Sequence, residues 1–415
     1  MSRESRDVVV TGLGVISPIG LNVAELLTSL QQNRSGIRLW ESPLLDKQLP
    51  AGVIGRDFSA EFSKLELPYL DRCSQIAILA ARQATRDARL EQFAEYGQRA
   101  GLFYGSVTGG VQTEHDWVHR FYAEQKQVSK PYTIMACMLN AAPAQISIRH
   151  QILGPVMTHS SACTSSGAAI GDAFRAIRDG YLDVALVGGA EAALTPAFMA
   201  SWRGLRALAE PHELDASRSC RPFSKDRSGL VLSEGAVFML LESWEHARQR
   251  DASCYCQLSG YGIASDGYHI GMPKAEGQVA ALRDALRDAG LRPDQIGYVN
   301  AHATATPGGD PIEATALREV FAEAPVSSTK GIHGHLLGAA SAMELATAIL
   351  AINQSFLPAT AHLDEVDNAC ALNHVANAPV LDRAVEHALS LSAGFGGTNV
   401  ALVVSKQDSL RTTVL

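Results

Sequence analysis

The stretch Thr158-His159-Ser160-Ser161-Ala162-Cys163-Thr164-Ser165-Ser166-Gly167-Ala168-Ala169 decides how the rest of the chain is read. A turn of small residues separates a short extended run from a helix, because from Gly167 onward Ala169, Ile170, Ala173, Phe174 and Ile177 recur at helical spacing. Arg175 and Arg178 lie in the last turn and Gly180 ends it, the chemistry of a helix C-terminus. Tyr181 to Val187 then reads as a buried strand closed by Gly188-Gly189. Cys163 falls at, or just before, the helix N-terminus. Unpaired N–H groups and the positive end of the helix dipole there favour a thiolate over a thiol of ordinary pKa ~8.5. Backbone N–H groups are also left near the sulfur, where an oxyanion can be held. A small buried core cysteine is the plain alternative. The small flanking residues, and histidines further along the chain, favour the nucleophile.

Composition sets the bounds. The 415 residues are 47% hydrophobic and 19% charged, ordinary for a compact globular protein. A net charge of −8 gives no global basic field for nucleic acid, so an acidic partner has to be met by a local patch. The first residues show no signal-peptide core, and no apolar run reaches membrane-spanning length. The seven cysteines are scattered, odd in number and without a CxxC pair, which points to a reducing cytoplasm and away from a disulfide framework or structural zinc. Cys254 and Cys256, two apart in an expected strand, read as packing.

Outward from the Cys163 unit the pattern is strand and helix in alternation, hence α/β layers. Val8 to Gly14 reads as a strand followed by a Gly turn, but Ser17 stands where the third Gly of a dinucleotide fingerprint belongs. An Ala-rich helix covers Gln75 to Leu90, and a strand at Ala100 to Tyr104 leads into the loop Gly105 to Gly110. The segment Arg203 to Arg227, with Arg206, Arg218, Arg221 and Lys225, is either a solvated loop or a docking surface for an acidic partner. Val231 to Glu242 reads as a strand and Trp244 to Arg250 as a short helix. No Pro/Gly/Ser linker divides the chain, although a second half begins near Ser253, giving halves 1–252 and 253–415. There a helix around Val279 to Ala289 is stopped by Gly290, and a strand Gly297 to Ala301 delivers His302. Asp310-Pro311-Ile312-Glu313 reads as an N-cap, a Pro at the first helical position and a capping-box Glu. Val326 to Lys330 precedes Gly331-Ile332-His333-Gly334-His335 and an Ala-rich helix carrying Glu344. This repeats the order seen at Cys163: short strand, small-residue turn, reactive side chain, small-residue helix. The chain closes on Gly394 to Asn399 and a strand from Val400 to Val404.

The segments VVVTGLGVISPIG, SSACTSSGAA, VNAHATATPGGDPIEA, SSTKGIHGHLLGAAS and GFGGTNVALVV together resemble the signature segments of β-ketoacyl-acyl carrier protein synthases, in particular the type II elongating branch, from about Val8 to Val404. The resemblance implies a thiolase-like, five-layered αβαβα body of two related halves, a cytoplasmic homodimer, and a Cys-His-His site. It implies decarboxylative condensation of malonyl-acyl carrier protein with an acyl chain held on Cys163, in fatty-acid biosynthesis. His302 and His335 match the pair that holds the malonyl thioester oxygen, and donors there stabilise an enolate. Lys330 matches their supporting lysine, Glu344 its buried acidic partner and Asn399 a structural support. The N–H groups of Cys163 and Phe395 match an oxyanion hole, and Phe395 a gate. Thr304 and Thr306 match residues that bind the pantetheine arm, Thr108 and Ala393 line the acyl site, and Arg206 matches a basic residue that meets the acidic carrier protein. No cofactor is implied, because the substrates ride on carrier phosphopantetheine, and no nucleic-acid or membrane partner. Nor is a metal: His302, His333 and His335 suggest a site, but no carboxylate or cysteine completes the set.

The chain departs from the family pattern at Ala303, at His333, and in Leu391-Ser392-Ala393-Gly394. Thr108 stands where a bulky aliphatic is common, so with Ala393 it is expected to leave a roomier acyl tunnel with one polar contact. Two alternatives stand beside the elongating synthase. One is the ketosynthase of a specialised type II polyketide, polyene or auxiliary lipid pathway. The other is a non-catalytic chain-length partner, a class that lacks the nucleophile. A degradative thiolase needs a second catalytic cysteine, and none of Cys254, Cys256 or Cys370 lies in the glycine-flanked setting that role requires.

Overall fold

The structure is a computed structural model and describes residues 5–407. Its strands are β1 (Val8–Ile16), β2 (Ile37–Trp40), β3 (Leu49–Gly52), β4 (Ala100–Gly105), β5 (Val156–His159), β6 (Val184–Glu191), β7 (Leu232–Ser233), β8 (Gly235–Ser243), β9 (Cys256–Ser265), β10 (Tyr298–Asn300), β11 (Val326–Ser327), β12 (His387–Ala393) and β13 (Thr398–Ser405). Ten of them hydrogen-bond in the order β11-β10-β12-β13-β9-β1-β8-β6-β4-β5, and β2, β3 and β7 form a small second sheet.

The ten-strand order is one five-strand path used twice. From β1 the pairing runs antiparallel to β8, antiparallel to β6, then parallel to β4 and β5. From β9 it runs antiparallel to β13, antiparallel to β12, then parallel to β10 and β11. The two paths join where Val8–Val10 of β1 meets Cys256–Leu258 of β9. Parallel neighbours require crossover helices, and these build the layers. Helices Ser165–Arg178 and Ala340–Gln354 pack against each other in the middle, Arg72–Asp87 covers β1 and β8, and Ala275–Ala289 covers β9 and β13. The result is a thiolase-like, five-layered αβαβα body built from two related halves.

Each apolar stripe follows from this layering. The Ala340–Gln354 helix is buried from Ala340 through Ile352, as a helix covered on every side must be. The inner core joins Val8, Val187 and Val237 to Ile349, the outer N-terminal core gathers Ile76, Ala80 and Phe238, and the outer C-terminal core gathers Val279, Leu282 and Val403. Among the described residues, no helix is long and apolar enough to cross a membrane.

Several expected boundaries are corrected. The glycines of β1 do not form a turn but lie within the strand. A Cβ at Gly12 would stand 2.2 Å from the Ala84 carbonyl oxygen, and one at Gly14 2.0 Å from that of Ala80, so both let the covering helix touch the sheet backbone. Gly260 and Gly262 of β9 do the same against Ala285 (2.3 Å) and Ala281 (2.0 Å), so the halves share a packing device as well as a topology. The strand expected at Tyr181 to Val187 is β6, which starts at Val184 and continues through Gly188-Gly189. A Cβ at Gly188 would meet the Val237 carbonyl oxygen at 2.1 Å, which is why glycine sits inside this sheet. The strand expected at Val231 to Glu242 breaks at Glu234, whose carboxylate leaves the ladder to bind Arg72 and the Ile54 N–H. Cys254 precedes β9 rather than sharing a strand face with Cys256. Asp310 and Glu313 do not cap their helix, which begins at Gly309 with Gly308 as N-cap. Both carboxylates are buried and serve other backbone groups.

Gly14→Ala is expected to lower the melting temperature and soluble yield sharply, since overpacking of this kind costs about 1–3 kcal/mol or more. Gly297→Ala is the control, because its Cβ would find only ordinary contact at 3.4 Å. Equal melting temperatures for the two variants would remove the argument.

Candidate active site

Three turns, each at the end of a strand, converge. After β5 the chain passes Ala162, held in the left-handed region at φ 54, and presents Cys163 beneath the Ser165–Arg178 helix. Such a conformation costs a non-glycine residue of order 1–2 kcal/mol, and surrounding bonds hold it here. Ser341 Oγ donates to the Cys163 carbonyl at 3.0 Å and Ala342 N donates to Ser166 Oγ at 3.0 Å, so both ties come from the other half. After β11, His335 is fixed by its own backbone: its N–H reaches Val231 O at 2.7 Å and its carbonyl accepts from Ser233 N at 3.0 Å. Its Nε2 lies 3.0 Å from Cys163 Sγ. After β10 comes His302, whose ring centre is 5.3 Å from that of His335 at 84°.

Behind the rings lies a buried ionic group. Lys330 Nζ donates to the Glu344 carboxylate and to the His302 carbonyl, and sits 3.4 Å from His302 Nδ1. Ser392 Oγ donates to the second Glu344 oxygen at 2.6 Å. Burial works against the Glu344 charge, yet the Lys330 ammonium holds its carboxyl below the usual range. Burial first, and Lys330 second, push the imidazoles of His302 and His335 down, so both rings are neutral at neutral pH. The Leu337 N–H donates to His335 Nδ1 at 3.2 Å. That backbone donor requires the ring proton to sit on Nε2, facing the sulfur. At His302 the group nearest Nδ1 is the Lys330 ammonium, which can only donate and so favours the proton on Nε2, with a Glu344 oxygen farther off at 3.8 Å.

The expected thiolate is not what the resting site holds. Cys163 has its helix terminus, but burial pushes the thiol up to about 12, with Lys330 only partly opposing. The backbone N–H groups of Cys163 and Phe395 are both directed at the sulfur, which gives the paired donors expected of an oxyanion hole. Phe395 is 43% exposed and stacks on Trp202 with ring centres 5.6 Å apart. Asn399 secures that loop, its side-chain amide donating to Asp266 Oδ1 at 2.8 Å and to Gly397 O at 3.1 Å.

The remaining predicted residues divide. Thr304 and Thr306 face each other at 3.2 Å across Ala305, whose φ of 67 turns both hydroxyls to one side. The Thr108 hydroxyl donates to the buried Glu191 carboxylate, so its polar contact is already satisfied. Ala393 ends β12 opposite Asn399. The basic segment is largely neutralised in place: Arg203, Arg218, Arg221, Lys225 and Arg227 pair with Asp46, Asp364, Asp226, Glu365 and Asp367. Arg206 is exposed and, among the described residues, makes no ion pair.

One expectation about metals is corrected. A cysteine does complete a set with two histidines, since ligand atoms of Cys163, His302 and His335 lie within 4.8 Å of one another. The Lys330 ammonium beside His302 sets a positive charge against any cation held there. Sequence reading missed Glu313, whose two oxygens accept from His302 N and Ala303 N, each at 2.6 Å, and so fix where the His302 ring starts. Burial pushes its carboxyl up to about 8. A Glu at that helix position looks like a cap, and only the tertiary contact reveals its task. His333 is a packing residue: Nδ1 donates to Gly334 O at 2.7 Å and Nε2 meets Thr329 Oγ1 at 3.0 Å.

A cysteine on the turn before a helix, two imidazoles beside it and two backbone N–H groups directed at its sulfur, set between thiolase-like halves, define an acyl-transfer site. Residues 5–247 match the N-terminal domain of β-ketoacyl synthases and residues 255–364 the C-terminal domain. The chain belongs to the β-ketoacyl synthase family. It is 35% identical to a 3-oxoacyl-[acyl-carrier-protein] synthase 2 of Coxiella burnetii, over 97% of this chain and 99% of that one. It is 36% identical to nodulation protein E of Rhizobium leguminosarum bv. trifolii, over 96% and 98%. A solved type II polyketide synthase acyl-carrier protein in complex with its ketosynthase, bound to the hexaketide, superposes with a TM-score of 0.88 at 28% identity, covering 97% of this chain and 100% of that one.

The His333 imidazole, pushed by burial and Lys330 down to about 4, makes a pH prediction. Below about 6.5 the unfolded chain takes up a proton that the native ring refuses, so stability present above that pH is lost as pH falls toward 4. His333→Thr is expected to remove this loss, roughly 3 kcal/mol at full extent. Denaturant titrations of both proteins between pH 7 and pH 4 measure it, and parallel pH dependences would contradict it.

Proposed function

We propose that this enzyme is an elongating β-ketoacyl-acyl carrier protein synthase of fatty-acid biosynthesis. The observation that carries the reading is Cys163 Sγ 3.0 Å from His335 Nε2, with His302 beside it and the Lys330–Glu344 pair behind. Cys163 attacks an acyl thioester. Its S–C bond forms as the acyl–S bond to the carrier breaks, and the thiol proton ends on the departing carrier thiol. The Nε2–H of His335 and the helix N-terminus lower the cost of negative charge on the sulfur meanwhile. Malonyl thioester then loses CO₂, its electron pair moving onto a thioester oxygen held by the Nε2–H groups of His302 and His335. The enolate carbon attacks the Cys163 acyl carbonyl, whose oxygen sits in the N–H pair of Cys163 and Phe395. Collapse releases the β-ketoacyl product and the Cys163 thiolate, which takes up a proton from solvent. Burial and the Lys330 ammonium keep both imidazoles neutral, Glu344 holds Lys330 in place, Glu313 fixes the backbone at His302, and Asn399 fixes the Phe395 loop.

The partner is acyl carrier protein, acyl- and malonyl-loaded. Its pantetheine arm would lie along Thr304 and Thr306 past Phe395, and Arg206, the basic residue of its segment left unpaired, would meet its acidic surface. No resident cofactor or metal is required. The halves divide at 252/253, between β8 and β9. A homodimer is supported by the free edge of β5 and by exposed Ile134, Met135, Ile148, Leu153, Val156 and Met157 around it. Work in the cytoplasm fits the seven free cysteines. A non-catalytic chain-length role is disfavoured by the intact trio. Thr108, Ala393 and the nodulation relative favour a second reading, the ketosynthase of an auxiliary lipid pathway. Loading a ladder of acyl-carrier thioesters and weighing the Cys163 adduct distinguishes the two.

Cys163→Gln is expected to abolish acyl transfer and condensation while malonyl decarboxylation continues. His302→Ala or His335→Ala should cut decarboxylation by roughly 10²-fold or more. Condensation by the Gln variant would overturn the assignment. Arg206→Glu should raise KM for carrier-bound substrate, hardly change turnover of small pantetheine thioesters, and matter less as salt rises. Equal loss with both substrates would place Arg206 at the chemistry rather than at docking.

A further inference from the structure

The last residue of β6, Glu191, is fully buried, has no cationic partner among the described residues, and takes no part in the chemistry above. Its surroundings are all donors. One oxygen accepts from Thr108 N at 3.0 Å, from the Thr108 hydroxyl and from Ser106 Oγ at 3.3 Å. The other accepts from Val107 N at 2.8 Å and from Gly338 N at 3.1 Å. Three of these donors are backbone N–H groups, which cannot reverse their role, and they oppose the burial that pushes the carboxyl above its ordinary range. The carboxylate therefore bridges two segments that are remote in sequence: the loop after β4 in one half, and the turn after His335 in the other.

That turn is tight and strained. Leu337 sits at φ 47, a left-handed conformation that a branched side chain seldom adopts. A Cβ at Gly338 would stand 2.7 Å from Glu191 Oε2 and 2.7 Å from Ser106 Cα, so only glycine admits the approach. The N–H that fixes the His335 ring belongs to Leu337, one residue before the N–H that Glu191 holds. We propose that Glu191 is a positioning residue: its carboxylate clamps the 106–108 loop to the Leu337–Gly338 turn and, through that turn, keeps His335 in the tautomer that presents Nε2–H to Cys163. Without the anion the turn is free to relax out of the left-handed conformation. The Leu337 N–H then leaves Nδ1, and the ring proton no longer has to reside on Nε2. The Thr108 hydroxyl adds a donor from the acyl side, so the loop that borders the acyl chain and the ring that meets the malonyl oxygen share one anchor.

The catalytic part of this role rests on the ketosynthase reading; the clamp on the ring does not. The test uses Glu191→Asp, which keeps the charge but is one carbon too short to reach both segments, with Glu191→Gln made alongside. In ¹⁵N-histidine-labelled protein, wild-type His335 should show an unprotonated Nδ1 and a protonated Nε2. In the Asp variant the His335 pattern is expected to change while His302 keeps its own, and malonyl thioester decarboxylation should fall about tenfold or more, as small misplacements of reacting groups do. An unchanged His335 pattern overturns the proposal, whether or not decarboxylation falls. So does decarboxylation within about twofold of wild type. If the Gln variant does not fold, the Asp variant decides. If wild-type protein fails to decarboxylate malonyl thioesters, the ketosynthase reading falls, and the ring signals still judge the clamp.

Discussion

The structure depends on one contact, the packing of the Ser165–Arg178 helix against the Ala340–Gln354 helix between the two sheet halves. Both are built from small residues, so their backbones approach closely: a Cβ at Gly167 would stand 2.9 Å from Ser341 Cβ. At that distance Ser341 reaches the Cys163 carbonyl and Ser166 receives the Ala342 N–H. Cys163 leads into one of these helices and His335 precedes the other. A larger residue along the seam would part the sulfur from the imidazole before it disturbed either half on its own.

That seam also explains how so many ionisable groups can be buried. Lys330, Glu344, Glu313, Asp310 and Glu191 are each at most a few per cent exposed, and an unpaired charge in such a place is costly. Most are answered by short, directed partners: Glu344 by Lys330 and Ser392, Glu313 by two backbone N–H groups, and one oxygen of Asp310 by the Phe223 N–H. The consequence is an arrangement of fixed dipoles and one ion pair around neutral imidazoles. Such preorganisation suits an enolate, whose charge exists only briefly and would be poorly served by groups that had to turn toward it. The same burial that lowers the imidazoles raises the Cys163 thiol, so the site rests uncharged at the sulfur and draws its negative charge only as the acyl group arrives.

The residues that the structure gathers around Cys163 were within reach of sequence reading because they sit in contiguous segments whose resemblance to one family marked them: Cys163, His302, His335, Lys330 and Phe395. The repeated strand-turn-reactive residue order around Cys163 and His335 is the local trace of the twofold path β1, β4, β5, β6, β8 and β9 to β13. Glu313 and Asp310 were misread because an acidic residue one turn into a helix is the signature of a cap, and local pattern holds no record of a distant amide. The thiolate was misjudged for a like reason: the helix terminus is visible in sequence, while the desolvation that outweighs it is not. Glycine within β1 and β6 was taken for a turn, since nothing in a strand's own sequence says that a helix or neighbouring strand will press against it.

By itself, then, the sequence determined the alternation of strand and helix and the repeated order of strand, small-residue turn and reactive side chain around Cys163 and His335. These follow from periodicity and residue type, which act over a few positions of chain. Only the tertiary structure decided the protonation and pairing of those side chains: the proton on His335 Nε2, the neutral Cys163, and the basic segment neutralised everywhere but at Arg206. Those properties depend on how the halves pack, and several of the contacts behind them join residues more than a hundred positions apart, Cys163 to His335 and Glu191 to Gly338 among them. Burial and approach arise only when the halves meet, so no stretch of chain contains them beforehand.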